Sequence, residues 1–293
     1  MADAVVISPP APATSRIRNR TIRRFLTHRP AVVGLCILVF VALVAIFAPI
    51  VAPYDPIKSD FSAIRQGPSA LHWMGTDELG RDLLSRLIYG ARTSLMAGVL
   101  PVSLALVISI PLGLLSGYVG GFLDTVLMRI TDALLAIPFL VLAIALTAVL
   151  GPGLYNAMLA IGVAAIPVFL RLARGSALAV SKEDYIEAAR AGGNSSLRIA
   201  FKHVLPNMIP PLFVQATLTV ATAIIVEASL SFLGLGQRPP APSWGSMLNE
   251  SQRFLTTMPL MSLWPGLAIF MVVMSINIVG DGIRDAMDPR HKS

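Results

Sequence analysis

Long uncharged stretches alternate with short polar segments along this chain. The uncharged runs cover residues 31–54, 93–123, 133–170, 204–226 and 255–280. A helix needs roughly 20 mostly apolar residues to cross a bilayer, so the run 133–170 is too long for one crossing. Gly151-Pro152-Gly153 places a tight turn inside that run and divides it in two. The pattern predicts an all-α integral membrane protein with six transmembrane helices.

Composition supports this fold class and excludes several others. Apolar residues make up 55% of the 293 residues, charged residues 13%, and mean hydropathy is +0.73. Soluble domains carry about 25% charged residues, so a soluble globule is excluded. The single cysteine, Cys36, rules out an intramolecular disulfide, and four scattered histidines offer no metal-binding spacing. We therefore expect no catalytic site and no metal site.

The net charge of +7 reflects membrane topology rather than nucleic-acid binding. Of the 23 Lys and Arg residues, 16 fall in residues 1–30, 118–132, 171–202 and the tail beyond residue 280. These segments share one side of the membrane, and the positive-inside rule makes that side cytoplasmic. Both termini are thus predicted to be cytoplasmic, with membrane lipid and not nucleic acid as a partner. The first apolar run is too long for a signal peptide and is interpreted as an uncleaved anchor.

The cytoplasmic loop between the fourth and fifth spans has the pattern of a helix–turn–helix. Ser181 and Asp184 have the spacing of a capping box, and Gly192-Gly193 favours a sharp turn. A second, basic helix is expected from Ser195 to Pro206. The residues alone leave two interpretations open, a docking element for another subunit and an ordinary amphipathic connector.

The same loop resembles the EAA motif of ATP-binding-cassette importer permeases. The resemblance lies in Glu187-Ala188-Ala189, Gly193 and the exit Val204-Leu205-Pro206, with His203 where the motif usually has isoleucine. It implies a coupling helix that sits in a cleft of an ATPase subunit and transmits its closure. The residues assigned to coupling on this basis are Tyr185, Glu187, Ala188, Ala189, Arg190, Gly193, Leu205 and Pro206.

Three further segments narrow the resemblance to the C-type permease subunit of dipeptide, oligopeptide and nickel importers. They are the external stretch 72–92 with its GTDELGRD sequence, residues 227–248, and residues 280–290. The acids of the first stretch are interpreted as a self-neutralising helix start, with Arg86 placed to pair with Asp82. The resemblance covers about residues 20–290 and implies a type I importer permease fold in the bacterial cytoplasmic membrane.

Two acids approach membrane depth, where ionisable groups are costly and suggest function. Glu227, with Ser229 and Ser231, is a candidate for the translocation path or outer gate; a structural, hydrogen-bonded role is the alternative. Asp132 is expected near the inner face in a structural role, paired with Arg129 one turn earlier.

The expected organisation has four parts. These are a basic cytoplasmic tail (1–30), the first helix with an external loop (31–92), a five-helix core (93–282) that contains the coupling loop (171–206), and a cytoplasmic tail (283–293). The chain has no G-x-x-x-x-G-K-[ST] phosphate loop, so ATP and Mg²⁺ would be bound by partner ATPase subunits, and this chain would bind no cofactor.

The predicted function is a permease subunit of an ATP-driven importer of dipeptides or oligopeptides. The resemblance implies three kinds of protein partner: a second, homologous permease in a heterodimer, two ATPase subunits, and an external solute-binding protein. Import of nickel or another small solute by the same architecture stays open, and a proton-coupled secondary carrier is the remote alternative. An intramembrane protease is excluded because Ser195 lies in a cytoplasmic loop without a buried histidine partner.

Overall fold

The computed structural model describes residues 23–287, which form a bundle of helices. Within this range, the helices of eight or more residues are α1 (Arg29–Ile46), α2 (Leu83–Tyr118), α3 (Gly121–Leu135), α4 (Phe139–Leu150), α5 (Leu154–Val180), α6 (Asp184–Ala191), α7 (Leu205–Phe232), α8 (Trp244–Ser251) and α9 (Leu260–Met287).

Among the described residues, five helices (α1, α2, α5, α7 and α9) are long and apolar enough to cross a membrane. The pair α3 and α4 makes a sixth span when its two halves, bent by 94° to each other, are counted together. Pro138 lies at this bend as the N-cap of α4, and proline disfavours helical backbone in the residue before it. The predicted all-α fold with six spans is confirmed.

Several helices extend past the charges that bound the apolar runs, and α2 and α3 show the reason. Helix α2 begins at Leu83 rather than Thr93, because the Asp82 carboxylate caps its first turn by accepting from Ser85 N at 2.8 Å. Helix α3 begins at Gly121, so Asp124 and Asp132 lie inside it. Both acids face arginines of α5, and charge neutralisation therefore allows the helix to continue.

The polar segments gather at opposite ends of the bundle. At one end, the segment 52–82 contacts the region of α8, with the Arg65 guanidinium 5.5 Å from the Phe254 ring centre. At the other end, the Arg190 guanidinium of α6 lies 5.8 Å from the Tyr118 ring centre, at the last residue of α2. This alternation fits the external and cytoplasmic assignment of the loops.

Helix α5 occupies the centre and α1 the periphery. In the most apolar 18-residue stretch of α5, 61% of the residues are buried, whereas in that of α1 only 17% are. Helix α2 packs closely on α5 because Gly113 and Gly117 present no side chains; a Cβ atom at Gly113 would overlap that of Ala173. Such a small-xxx-small spacing lets helix backbones approach in membranes. We call this contact the α2–α5 seam.

The predicted division of the chain stays a prediction. Residue 93, where the core was expected to begin, lies inside α2. The basic tail falls outside the described residues up to position 22, and the C-terminal tail does so from position 288.

Candidate functional site

Helix α6 lies at the cytoplasmic end with one face anchored and the other open. Ile186 is fully buried, and Ala189 packs against the apolar core. Glu187 and Ala188 are exposed on the opposite side. Of the two alanines in the predicted motif, only Ala188 therefore belongs to the open surface, which we call the α6 outward face (Asp184, Glu187, Ala188 and Ala191).

One cation–π contact and one partly exposed tyrosine characterise the edges of α6. Arg190 reaches back over the Tyr118 ring, a cation–π arrangement that ties α6 to α2. Tyr185 is 44% exposed. Burial of its remaining surface raises the pKa of the Tyr185 phenol, and the Glu183 carboxylate adds to this, so the hydroxyl stays a neutral hydrogen-bond donor.

A tight turn ends α6 at residues 192–194. Gly193 has φ 77°, in the left-handed region that favours glycine. The Asn194 backbone N–H and side-chain amide both donate to the Ala189 carbonyl, at 3.2 Å and 3.0 Å. The predicted turn is thus present. The predicted capping box is wrong, because Ser181 ends α5 and donates to the Leu178 carbonyl instead.

The second helix of the loop continues into α7 through a wide turn. Ser195 caps Ser196–Ile199, and a π-helical turn, Ala200–Val204, leads into Leu205. Pro206 has no N–H to donate to the carbonyl four residues back and its ring crowds that carbonyl, which accounts for the widened turn. Leu205 is half-buried and Pro206 is exposed.

At the outer end of α7, the candidate gate residues separate into two groups. Glu227 is fully buried and its Oε1 accepts from Ser231 Oγ at 2.6 Å. Its Oε2 has no hydrogen-bond partner within residues 23–287. Ser231 in turn accepts from the backbone N–H of Gln237 at 3.0 Å. Ser229 is half-exposed and donates to the Ile225 carbonyl, outside this network.

Helix α8 packs over this network. This helix was not predicted from the sequence. Ser243 and Ser246 form a capping box at its start. The Trp244 indole fits against Gly90 of α2 and donates from Nε1 to the Leu87 carbonyl at 3.0 Å. A capping box Ser-x-x-Ser differs from the usual Ser-x-x-Glu form, so only the serine spacing could have indicated it.

A buried ion cluster joins α8 to the external segment and α2. Its members are Asp77, Arg81, Arg86 and Glu250, with side chains at most 12% exposed. Glu250 Oε2 lies 2.8 Å from a guanidinium nitrogen of each arginine, and Asp77 lies 2.6 Å from Arg81. Burial raises the pKa of the Glu250 carboxyl, while Arg86 and Arg81 oppose that rise.

The expected pairing of Arg86 with Asp82 is wrong. Both Asp82 oxygens have other partners: one accepts from Ser85, and the other lies 3.0 Å from the His72 ring. Arg86 turns instead to Asp77, at 3.3 Å, and to Glu250.

Two ion pairs connect α3 with α5 near the cytoplasmic end. Asp132 pairs with Arg171, not with Arg129 as expected, because α3 crosses α5 and brings that arginine within reach. Asp124 accepts from both Nε and Nη2 of Arg174, at 2.5 Å and 2.7 Å, and from Ser116 of α2. Three helices therefore meet at Asp124.

Family models match most of the chain. The model described as "Binding-protein-dependent transport system inner membrane component" matches residues 109–293. A second, the "N-terminal TM domain of oligopeptide transport permease C", matches residues 18–68.

Several relatives are similar over three quarters or more of the chain. A dipeptide transport system permease protein of Alkalihalophilus pseudofirmus is 46% identical over 94% of this chain and 90% of its own length. A glutathione transport system permease protein of Pectobacterium atrosepticum is 44% identical over 92% and 90%. A probable D,D-dipeptide transport system permease protein of Escherichia coli is 46% identical over 76% and 75%.

Solved structures agree on the fold. A chain of the MetNI methionine ABC transporter, in an inward-facing conformation, superposes with a TM-score of 0.56 at 23% identity. The match covers 70% of this chain and 98% of that one. With the six spans and the loop arrangement described above, this chain belongs to the family of binding-protein-dependent transport system inner membrane components, as a C-type, multi-pass permease of the bacterial inner membrane with the type I importer fold.

Proposed function

We propose that this permease moves short peptides into the cell, powered by separate ATPase subunits that dock on the α6 outward face. The observation that carries the coupling role is the asymmetry of α6, which is anchored by Ile186 and open at Glu187 and Ala188. An anchored helix with a small, exposed residue at its centre suits close approach of a second protein surface.

Peptide is the favoured cargo because the relatives named above transport dipeptides, glutathione and D,D-dipeptides. All of these are short peptides or peptide-like compounds. Residues 23–287 contain no group of three His, Cys, Asp or Glu placed to hold a metal ion.

The proposed assembly contains this chain, a second homologous permease, two ATPase subunits that bind ATP and Mg²⁺, and an external solute-binding protein. In this assembly the chain supplies half of the path and does no chemistry itself. A bundle of six spans is small for a complete path, which supports a path formed between two permeases.

Movement of α6 would be transmitted to the membrane helices through three connections, one side-chain contact and two continuous segments of the chain. Arg190 connects α6 to the end of α2, and the connection to α5 is covalent through residues 181–183. The turn at 192–194 continues through the π-helical turn into Leu205 and Pro206 of α7. The coupling residues thereby act on α2, α5 and α7 together.

At the outer end, we assign Glu227 and Ser231 to holding the gate closed rather than to contacting cargo, since both side chains are buried. Ser229, which is half-exposed, stays a candidate for the path.

A steric block on α6 tests the coupling role. Ala188→Trp adds bulk to the α6 outward face without filling the core, because Ala188 is exposed. We expect the ATPase subunits to be lost from the purified complex and ATP-driven uptake to fall to background. Ala70→Trp, the same change at an exposed external alanine, is the matched control and should retain both. Equal ATPase recovery in the two variants would contradict the proposed docking face.

Cargo and energy source are tested by uptake into proteoliposomes that contain the whole complex and its binding protein. We expect uptake of a labelled dipeptide to require ATP and to survive collapse of the proton gradient. Uptake of Ni²⁺ instead of peptide would support the nickel alternative, and uptake that depends on the gradient alone would support a secondary carrier.

A further inference from the structure

An apolar patch is exposed on the external segment. Leu71 and Trp73 are 73% and 74% exposed. The other two tryptophans differ, since Trp244 is 2% exposed and Trp264 is half-buried. Large apolar side chains grouped on a surface mark a contact with lipid or protein, and the surroundings of this patch distinguish the two.

A hydrogen bond and a ring contact connect the patch to the chain just after the C-terminal end of α1. A short helix, Ala48–Val51, continues α1, and Ile50 in it is 81% exposed. Three residues after this helix, the Tyr54 hydroxyl donates to the Leu71 carbonyl at 2.9 Å. The Tyr54 ring also lies 4.9 Å from the His72 ring. These contacts hold residues 71–73 beside the outer end of α1.

Polar contacts of Tyr54 and His72 also connect the patch to the start of α2. The Tyr54 backbone N–H donates to Ser85 Oγ at 3.0 Å, in the first turn of that helix. His72 lies 3.0 Å from Asp82, the N-cap of α2. Residues 71–73 therefore sit at the level where one span leaves the membrane and the next one enters it.

The exposed surface of α1 leads to this patch through Pro53 and Tyr54, and the polar residues Asp55, Lys58 and Asp60 lie beside Tyr54 and Leu71, as at a membrane–water boundary. Phe47, Ile50 and Val51 are all exposed, and α1 has the smallest buried fraction among the spans within residues 23–287, as expected for a lipid-facing surface. Tyrosine and tryptophan are enriched where hydrocarbon meets headgroups, because their rings are apolar with one polar atom. We propose that Tyr54, Leu71 and Trp73 form an anchor inserted into the headgroup boundary of the outer phospholipid leaflet.

The anchor fixes the external segment to the bilayer. Through Arg81 and Asp77 the same segment is bonded to Glu250 of α8. Helix α8, which packs over the outer end of α7, is therefore held in position by the membrane surface as well as by the other helices.

Site-directed spin labelling tests the anchor in the intact complex. In a Cys36→Ser background, Trp73→Cys is labelled with a nitroxide, and the complex is placed in nanodiscs of phosphatidylethanolamine and phosphatidylglycerol. Accessibility to oxygen, which partitions into lipid, is compared with accessibility to a water-soluble nickel chelate. Ile50→Cys is the lipid-facing control, and Arg238→Cys, at an exposed position of the other external loop, is the aqueous control.

We expect the oxygen-to-nickel accessibility ratio at residue 73 to match that at residue 50 and to exceed that at residue 238, without added binding protein. A ratio equal to that at residue 238 would overturn the proposal. Shielding of the label only after the solute-binding protein is added would overturn it in favour of a protein-docking surface. Leu71→Cys repeats the measurement should Trp73→Cys assemble poorly.

Discussion

Adjacent glycines at the end of α6 have different backbone requirements. Gly193 has φ 77° with open space around it, whereas Gly192 has φ −74° and room for a Cβ atom. The motif resemblance singled out Gly193, and the structure supplies the physical reason. Left-handed backbone costs a residue with a Cβ atom about 1–2 kcal/mol.

Alanine at each of these positions separates conformation from side-chain volume. We expect Gly193→Ala to destabilise the turn by about 1–2 kcal/mol and to speed hydrogen exchange of the α6 amides in the purified complex. Gly192→Ala should leave exchange unchanged. Similar exchange in both variants would show that the turn does not depend on the left-handed residue.

Glu227 is buried, and within residues 23–287 its carboxylate accepts a hydrogen bond from Ser231 while Oε2 has no partner. Glu227→Ala removes that acceptor and should lower the free energy of unfolding by about 1–3 kcal/mol. Glu227→Gln keeps the size and one carbonyl oxygen, so its membrane abundance and thermal midpoint should stay close to the parent values. A Gln variant as unstable as the Ala variant would mean that the negative charge itself is required.

At the scale of elements, α3 was the helix least accessible to sequence reasoning. Its acids, Asp124 and Asp132, look like the end of a polar loop when only neighbours along the chain are considered. They become compatible with a helix because Arg171 and Arg174 neutralise them from α5. By contrast, the uncharged runs alone predict the central part of each of the other long spans.

A double-mutant cycle measures the connection between α3 and α5. Asp124→Asn, Arg174→Gln and the double variant are compared by chemical unfolding of the detergent-solubilised complex. Residues that share a hydrogen-bonded ion pair couple by about 0.5–3 kcal/mol, so we expect the double variant to lose less stability than the sum of the single losses. Additive losses would remove Asp124 and Arg174 from the support of α3.

For the whole molecule, the buried ion cluster unites external parts that are distant in sequence. Arg86 and Glu250 are 164 residues apart. The apolar runs were sufficient for the six spans, and the local residue pattern was sufficient for the two helices and the turn of the loop after the fourth span. They could not show that Glu250 meets Arg81 and Arg86, because no local pattern marks an ion pair formed across such a separation.

Removing Glu250 tests this long-range connection. Glu250→Ala leaves the two buried arginines with Asp77 as the remaining acid of the cluster, and breaking a buried pair costs about 3–5 kcal/mol. We expect a lower thermal midpoint and faster proteolysis of the external segment. Glu78→Ala removes a nearby, half-buried acid outside the cluster and serves as the control. Comparable proteolysis of the two variants would show that the cluster does not hold the segment.

The α2–α5 seam also has a consequence for biosynthesis. Ser109 of α2 and its partner carbonyl, Ile166 of α5, are 57 residues apart. At ribosomal speeds of about 5–20 residues per second, α2 waits roughly 3–11 seconds for α5 to be made. During that interval Gly113 and Gly117 face lipid or another chain, and Asp124 has no arginine. The nascent permease is therefore most vulnerable to mispairing and quality-control proteolysis just before its fourth span is inserted.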